Sequence, residues 1–120
     1  DDDAAYLNRG VAREKVGYLQ AALDDYTQAI ALNPQADAYT SRASAYYQLG
    51  NDQAALDDYT QALEYDPAYG YAYDGRATVR VRMGDIPEAI EDYQQAAGLY
   101  HRQGDAERHQ YTLQRIEMLR

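Results

Sequence analysis

The segment Asp24-Asp25-Tyr26-Thr27-Gln28-Ala29 returns 33 residues later as Asp57-Asp58-Tyr59-Thr60-Gln61-Ala62, and a looser copy, Glu91-Asp92-Tyr93-Gln94-Gln95-Ala96, follows 34 residues after that. A fixed period of this length constrains a chain more than its composition does. Each repeat is one supersecondary unit that buries its apolar side only by stacking on its neighbours. The sequence therefore reads as a linear array, and such arrays present long concave surfaces.

The register extends beyond the six-residue segment. Tyr6, Tyr39 and Tyr73 head the units, and Arg9, Arg42 and Arg76 follow, each trailed by a small residue, Gly10, Ala43 or Ala77. Gly17, Gly50 and Gly84 come next, then Ala22, Ala55 and Ala89, then Tyr26, Tyr59 and Tyr93, then Ala29, Ala62 and Ala96. Pro34 and Pro67 close the first two units, and His101 stands where the third would have proline.

Within a unit the small and apolar positions fall three and four apart: Tyr39, Ala43 and Tyr46 share one helical face, and Ala55, Leu56, Tyr59, Ala62 and Leu63 share another. Glycine between the two runs takes the left-handed conformation that ends a helix. Proline after Asn33 or Asp66 stops the second helix, because the residue before proline disfavours helical backbone. Each unit is predicted to be a helix–turn–helix hairpin whose alanines mark close helix contacts and whose tyrosines fill the space beside them. Asp85-Ile86-Pro87-Glu88 reads as a helix start, with Asp85 as side-chain cap, Glu88 reaching back and proline in the first turn.

These residues resemble the tetratricopeptide repeat (TPR) family over three consecutive units from about Asp3 to Tyr100. The resemblance implies an all-α fold, a right-handed α-solenoid of three hairpins with a C-terminal solvating helix. The expected units are about 3–35, 36–69 and 70–103, with a cap over about 105–119, in a single domain spanning 1–120. Two departures stand out. The family usually has a leucine-like residue where this chain has Arg9, Arg42 and Arg76, and an aromatic or leucine where Arg13 and Arg80 sit; Tyr46 conforms.

Composition narrows the function classes. The chain has no Phe or Trp, so its 14 tyrosines supply the aromatic mass. It has no cysteine, hence no disulfide or thiolate metal site. A net charge of −9 argues against nucleic acid and against anionic membrane surfaces. No stretch has membrane-spanning length and no signal peptide is present, so a soluble chain is expected, its compartment open and the cytoplasm included. The chain lacks an initiator Met and opens on Asp1-Asp2-Asp3, which reads as a domain of a longer protein or a processed form. Residues 1–100 carry a net of −10 and residues 101–120 a net of +1.

The pattern changes after Gly104. Ala106, His109, Leu113, Ile116 and Leu119 form one stripe, with Tyr111, Arg115 and Met118 off it, as expected of a helix covering the end of the last unit. Nothing equivalent precedes Tyr6, so the N-terminal face is expected to stay open to an upstream repeat, a partner or a second copy.

The family resemblance implies that a partner peptide lies in a concave groove lined by the first helix of each unit. Transferring the groove pattern gives Leu7, Asn8, Val11, Glu14 and Lys15, then Asp37, Thr40, Ser41, Ser44, Tyr47 and Gln48, then Tyr71, Asp74, Gly75, Thr78, Val81 and Arg82. Glu14, Asp37 and Asp74 nearly cancel against Lys15 and Arg82, leaving the strong acidity on Asp24, Asp57 and Glu91 of the second helices. The expectation is a hydroxyl-rich, near-neutral groove that takes an extended segment through backbone hydrogen bonds and tyrosine contacts. Chaperone-adaptor members of the family clamp a C-terminal carboxylate with lysines, an arginine and asparagines. The matching positions here are Leu7, Val11, Ser41, Tyr71 and Gly75, none cationic and none Asn, so no such clamp is expected.

Arg9, Arg42 and Arg76 precede the tightly packed small residues and are expected to be partly buried, paired across the hairpin with Asp25, Asp58 and Asp92 as a structural ladder, the alternative being that they are available to a ligand phosphate or carboxylate. His101, Asp105 and His109 are four apart, a spacing that would gather metal ligands on an unbroken helix, but Gly104 breaks it and no metal site is expected. No nucleophile–base constellation or phosphate loop stands out, so neither catalysis nor a cofactor is expected. The expected function is a non-catalytic interaction scaffold for a protein or peptide partner. The alternative is an assembly element that self-associates or stacks through its N-terminal face.

Overall fold

The computed structural model describes residues 2–120; Asp1, at the head of the acidic run, lies outside the described residues. The described chain is all-α. Helices α1 (Asp2–Lys15), α2 (Leu19–Leu32), α3 (Ala36–Gln48), α4 (Asp52–Tyr65), α5 (Gly70–Met83), α6 (Ile86–Arg102) and α7 (Ala106–Leu119) follow one another. α1–α2, α3–α4 and α5–α6 pair as hairpins, each hairpin packs on the next, and α7 packs on α6. The first helices also touch along the stack, α1 against α3 and α3 against α5, so they form one continuous face.

The turns repeat in atomic detail. Gly17, Gly50 and Gly84 have φ of +89°, +83° and +86°, and Gly104 has +75°. At each, the next residue's N–H reaches back five residues: Tyr18 to the Arg13 carbonyl at 2.8 Å, Asn51 to Tyr46 at 2.9 Å, Asp85 to Arg80 at 2.8 Å and Asp105 to Tyr100 at 2.9 Å. This is the Schellman closure, which only a left-handed residue completes without strain. The junction into α7 thus copies the turn inside a hairpin. Without a proline at position 101, α6 runs on to Arg102, 17 residues against 14 for α2 and α4.

The core is made of alanine and tyrosine. Ala22, Ala43, Ala55, Ala62, Ala77, Ala89 and Ala96 are fully buried. Their short side chains let the helix axes approach, and Tyr26, Tyr59 and Tyr93, also buried, fill the gaps between hairpins. Gly10 and Gly75 serve the same end. A Cβ at Gly10 would lie 2.5 Å from the Tyr26 ring, and one at Gly75 would overlap the Tyr59 ring and sit 2.6 Å from its hydroxyl.

Three local expectations are corrected. Asp85 precedes α6 but its side chain makes no capping hydrogen bond, because the chain enters the helix through Ile86 and Pro87 with Asp85 exposed; Asn51 and Asp105 do cap, accepting from the N–H groups of Ala54 and Arg108. The inward face of α7 is rotated from the predicted stripe: Thr112 and Ile116 are buried, whereas Ala106 and Leu113 are exposed. The Thr112 hydroxyl is accommodated by donating to the Arg108 carbonyl at 2.7 Å, so a polar residue can take the inward position. The third correction concerns Arg9, below.

Candidate functional site

At about 100° per residue, Tyr6, Arg9 and Arg13 fall on the side of α1 opposite Leu7, Val11 and Glu14. The first set builds a ladder and the second faces α3. In the ladder, Arg42 donates to both Asp58 oxygens at 2.8 and 2.9 Å, and Arg76 to both Asp92 oxygens at 2.9 Å. Arg9 does the same to Asp25, at 2.7 and 3.0 Å. Each guanidinium also lies over the tyrosine three residues earlier, 5.4 Å from the Tyr6 ring centre, 5.8 Å from Tyr39 and 5.6 Å from Tyr73. Arg13 and Arg80, where the family usually places an aromatic or leucine, reach the same carboxylates at 3.0 and 2.7 Å. Asp25 and Asp92 therefore each bind two arginines, and Tyr46, in the equivalent place, lies against Arg42 instead. The Arg9 bond, with Arg13 behind it, holds the Asp25 carboxyl below the usual carboxylate range despite burial.

The ladder is not uniform. The Arg42 and Arg76 side chains are 18% and 17% exposed, but Arg9 is 54% exposed, contrary to the expected partial burial. Arg42 and Arg76 each donate a further bond to the preceding hairpin, to the Thr27 and Thr60 hydroxyls at 3.2 and 3.3 Å. Arg9 belongs to the first hairpin and has no such threonine among the described residues.

On the other face, Glu14 joins the first two hairpins. It accepts from the Tyr26 hydroxyl at 2.6 Å, from the Ser44 hydroxyl at 3.0 Å and from the Gln48 amide. Arg82, one repeat after Gln48, likewise reaches back one hairpin. It donates to the Tyr47 carbonyl at 2.7 Å, at the negative end of α3, lies 3.7 Å from the Tyr47 ring centre, and pairs with Asp52. Asp74 accepts one hydrogen bond, from the Tyr100 hydroxyl at 3.3 Å, and forms no ion pair among the described residues. Burial pushes its carboxyl above the usual range, and the Tyr100 bond and the charges of Arg115 and Arg108 pull it partly back.

The charges expected to balance on this face are thus not paired with one another among the described residues. Arg82 pairs with Asp52, an acid outside the groove set, and Lys15 is exposed; Glu14 and Asp74 form no ion pair among the described residues. Asp37 sits half-buried at the start of α3 beside Tyr65 and Tyr69.

The other groove residues differ in what they engage. Leu7 and Val11 pack against Leu23, Tyr26 and Ala45, as much in the core as in the groove. Thr40 is half-buried with its hydroxyl covered and unpartnered, so it offers nothing to a bound segment. Thr78 is engaged, donating to the Asp74 carbonyl at 3.1 Å and bonded to the Tyr93 hydroxyl at 2.9 Å. Ser41 is half-buried, and Asn8, Lys15, Gln48 and Tyr71 are exposed.

Helix α7 adds residues that sequence reasoning did not place here. Arg108 lies 5.0 Å from the Tyr71 ring centre and is held by Asp105; Arg115 donates to the hydroxyls of Tyr93 and Tyr111 at 3.0 and 2.9 Å. The break at Gly104 does not separate the histidines: the rings of His101 and His109 meet with centres 4.9 Å apart, while Asp105 turns to cap α7.

The repeat geometry has close counterparts. Family models for the tetratricopeptide repeat match residues 3–36 and 36–69. The second TPR of Spaghetti (RPAP3), solved bound to the HSP90 peptide SRMEEVD, is 30% identical, with 82% of this chain and 93% of that one covered at a TM-score of 0.80. This chain belongs to the tetratricopeptide repeat family. Among other solved TPR domains, that of Arabidopsis OM64 is 28% identical, with 98% of this chain and 95% of that one covered and a TM-score of 0.86. The second TPR domain of human RPAP3, in complex with the HSP70 peptide SGPTIEEVD, is 27% identical, with 97% and 95% covered and a TM-score of 0.83. No curated protein matches the chain. Among the described residues no helix of this TPR array is long and apolar enough to cross a membrane.

Proposed function

We propose that this TPR array is a protein-interaction module that takes an extended peptide segment of a partner along the face formed by α1, α3 and α5. The observation that carries the reading is the order of that face. Glu14, Ser44 and Gln48 lock the first two hairpins together, and Arg82 locks the second to the third, so the groove is set before a ligand arrives. A preordered site loses less entropy on binding. Exposed Tyr71 and half-buried Tyr47 offer flat amphipathic contacts, and relatives of the same fold carry peptides, which supports the same use here. Pull-down on the immobilised chain beside its Tyr47→Ala/Tyr71→Ala variant tests it: a partner retained only by the wild type supports the groove, and equal retention rejects it.

A second reading is assembly through the open face of α1. Arg9 lacks the threonine that its two equivalents bind, and Asp2, Ala5 and Tyr6 lie beside it around a surface hollow. Light scattering over a range of concentrations separates the readings: a rising mass that Arg9→Ala abolishes supports assembly, and a constant monomer mass rejects it.

A further inference from the structure

The groove floor carries two carboxylates, Glu14 and Asp74, that accept hydrogen bonds but form no ion pair among the described residues. Tyr26 and Tyr93 spend their hydroxyls on Glu14 and Thr78. Tyr59, their equivalent in the middle hairpin, has no such bond among the described residues. Gly75 clears the space beside it: any side chain there would run into the Tyr59 ring and hydroxyl. Asp74, next to Gly75 on α5, and Glu14 on α1 of the first hairpin are the two groove acids whose charge reaches this hydroxyl. Burial first, then the Asp74 and Glu14 carboxylates, drive the Tyr59 hydroxyl pKa well above its ordinary value. Tyr71 stands edge-on to Tyr100, ring centres 5.9 Å apart, and Tyr100 holds Asp74. The nearby arginines make their hydrogen bonds elsewhere, Arg82 to Asp52, Arg108 to Asp105 and Arg115 to two tyrosine hydroxyls, and Arg108 and Arg115 act on Asp74 only through their charge.

We infer that the notch over Tyr59, with the carboxylates of Glu14 and Asp74, forms a cation subsite that receives a lysine or arginine side chain of the bound peptide. This rests on the groove reading above and gives it a charge preference. An ammonium or guanidinium there completes two carboxylates that otherwise accept only from neutral groups, can use the Tyr59 hydroxyl as an acceptor, and meets the faces of neighbouring tyrosines. The chain's net charge of −9 favours approach of such a segment. An acidic segment would meet two carboxylates that have no ion-pair partner among the described residues. The preference is thus opposite to that of relatives solved with peptides ending in Glu-Glu-Val-Asp.

The test is an amide-resolved NMR titration with blocked peptides of one Gly-Ser-Ala background carrying a central pair of lysines, arginines or glutamates. The lysine or arginine peptide is expected to shift the amides of Glu14, Ser44 and Gly75, and added salt to weaken it. The Glu14→Gln/Asp74→Asn variant, checked for an intact thermal transition, is expected to lose roughly tenfold or more in affinity for that peptide. Comparing lysine with arginine identifies which cation fits. An unchanged affinity in the double variant, or no binding of either basic peptide, overturns the inference. Preference for the glutamate peptide at the same amides also overturns it, while leaving the groove reading intact. Basic-peptide shifts confined to the exposed helix residues Asp24, Asp57 and Glu91 overturn both.

Discussion

Asp92 and Asp74 are the same residue type in neighbouring helices of one hairpin, and their surroundings are opposite. Asp92 is buried and receives three hydrogen bonds from two guanidinium groups; Asp74 is half-buried and receives one, from a neutral hydroxyl. The repeat explains the contrast. Asp92 has counterparts in Asp25 and Asp58, each bound by its own arginine, so every hairpin contains the pairing. Asp74 corresponds to Thr40 and Leu7, and Glu14 to Tyr47 and Val81. What recurs once per hairpin holds the hairpin together; Asp74 and Glu14 occur once, form no ion pair among the described residues, and on the proposed reading belong to a surface that meets a partner.

The largest expected effect lies on the ladder. Asp92→Ala leaves Arg76 and Arg80 without their shared carboxylate and should cost about 3 kcal/mol in urea unfolding. A variant as stable as wild type would mean the ladder is ornamental. Next comes the groove floor. Gly75→Ala forces a Cβ into Tyr59 and should cost about 1–3 kcal/mol. Gly98→Ala, inside α6 with only the far end of Arg102 nearby, should instead gain about 0.5–1 kcal/mol. Equal effects at the two glycines would place Tyr59 wrongly.

Smaller effects separate the two kinds of carboxylate by pH. The folded state depresses the Asp25 pKa, so its ionisation stabilises the fold above the ordinary carboxylate range, and that contribution is lost as pH falls through the depressed value. The folded state raises the Asp74 pKa, so its ionisation works against folding at neutral pH, and the penalty fades as pH falls through the raised value. Asp25→Asn should therefore lower the melting temperature most at neutral pH and least in acid. Asp74→Asn should raise it slightly at neutral pH and converge on wild type in acid. Shifts of the same sign for both variants would erase the distinction.

The hairpins, the glycine turns and the Arg–Asp pairing were legible in the sequence, because each is a local rule repeated in register. A 16-residue separation of Arg42 from Asp58, folded about Gly50, brings the two opposite each other with no knowledge of the stack. The rest depended on how hairpins sit on one another. Arg82 meets Asp52 across 30 residues and two hairpins, a pairing set by the superhelix. Arg13 and Arg80 could have been assigned to the ladder, since each lies one helical turn after Arg9 or Arg76 on the same side of its helix. The α7 face was displaced because Thr112 satisfies its hydroxyl within its own helix, which apolar periodicity does not register.

The most direct test of the division between ion-paired carboxylates and those that form no ion pair among the described residues is urea unfolding at pH 7 of Asp74→Asn beside Asp92→Asn. Asp92→Asn should be clearly less stable than wild type and Asp74→Asn at least as stable. An Asp74→Asn variant destabilised as much as Asp92→Asn would make Asp74 another structural acid and remove the basis for reading the groove carboxylates as a binding surface.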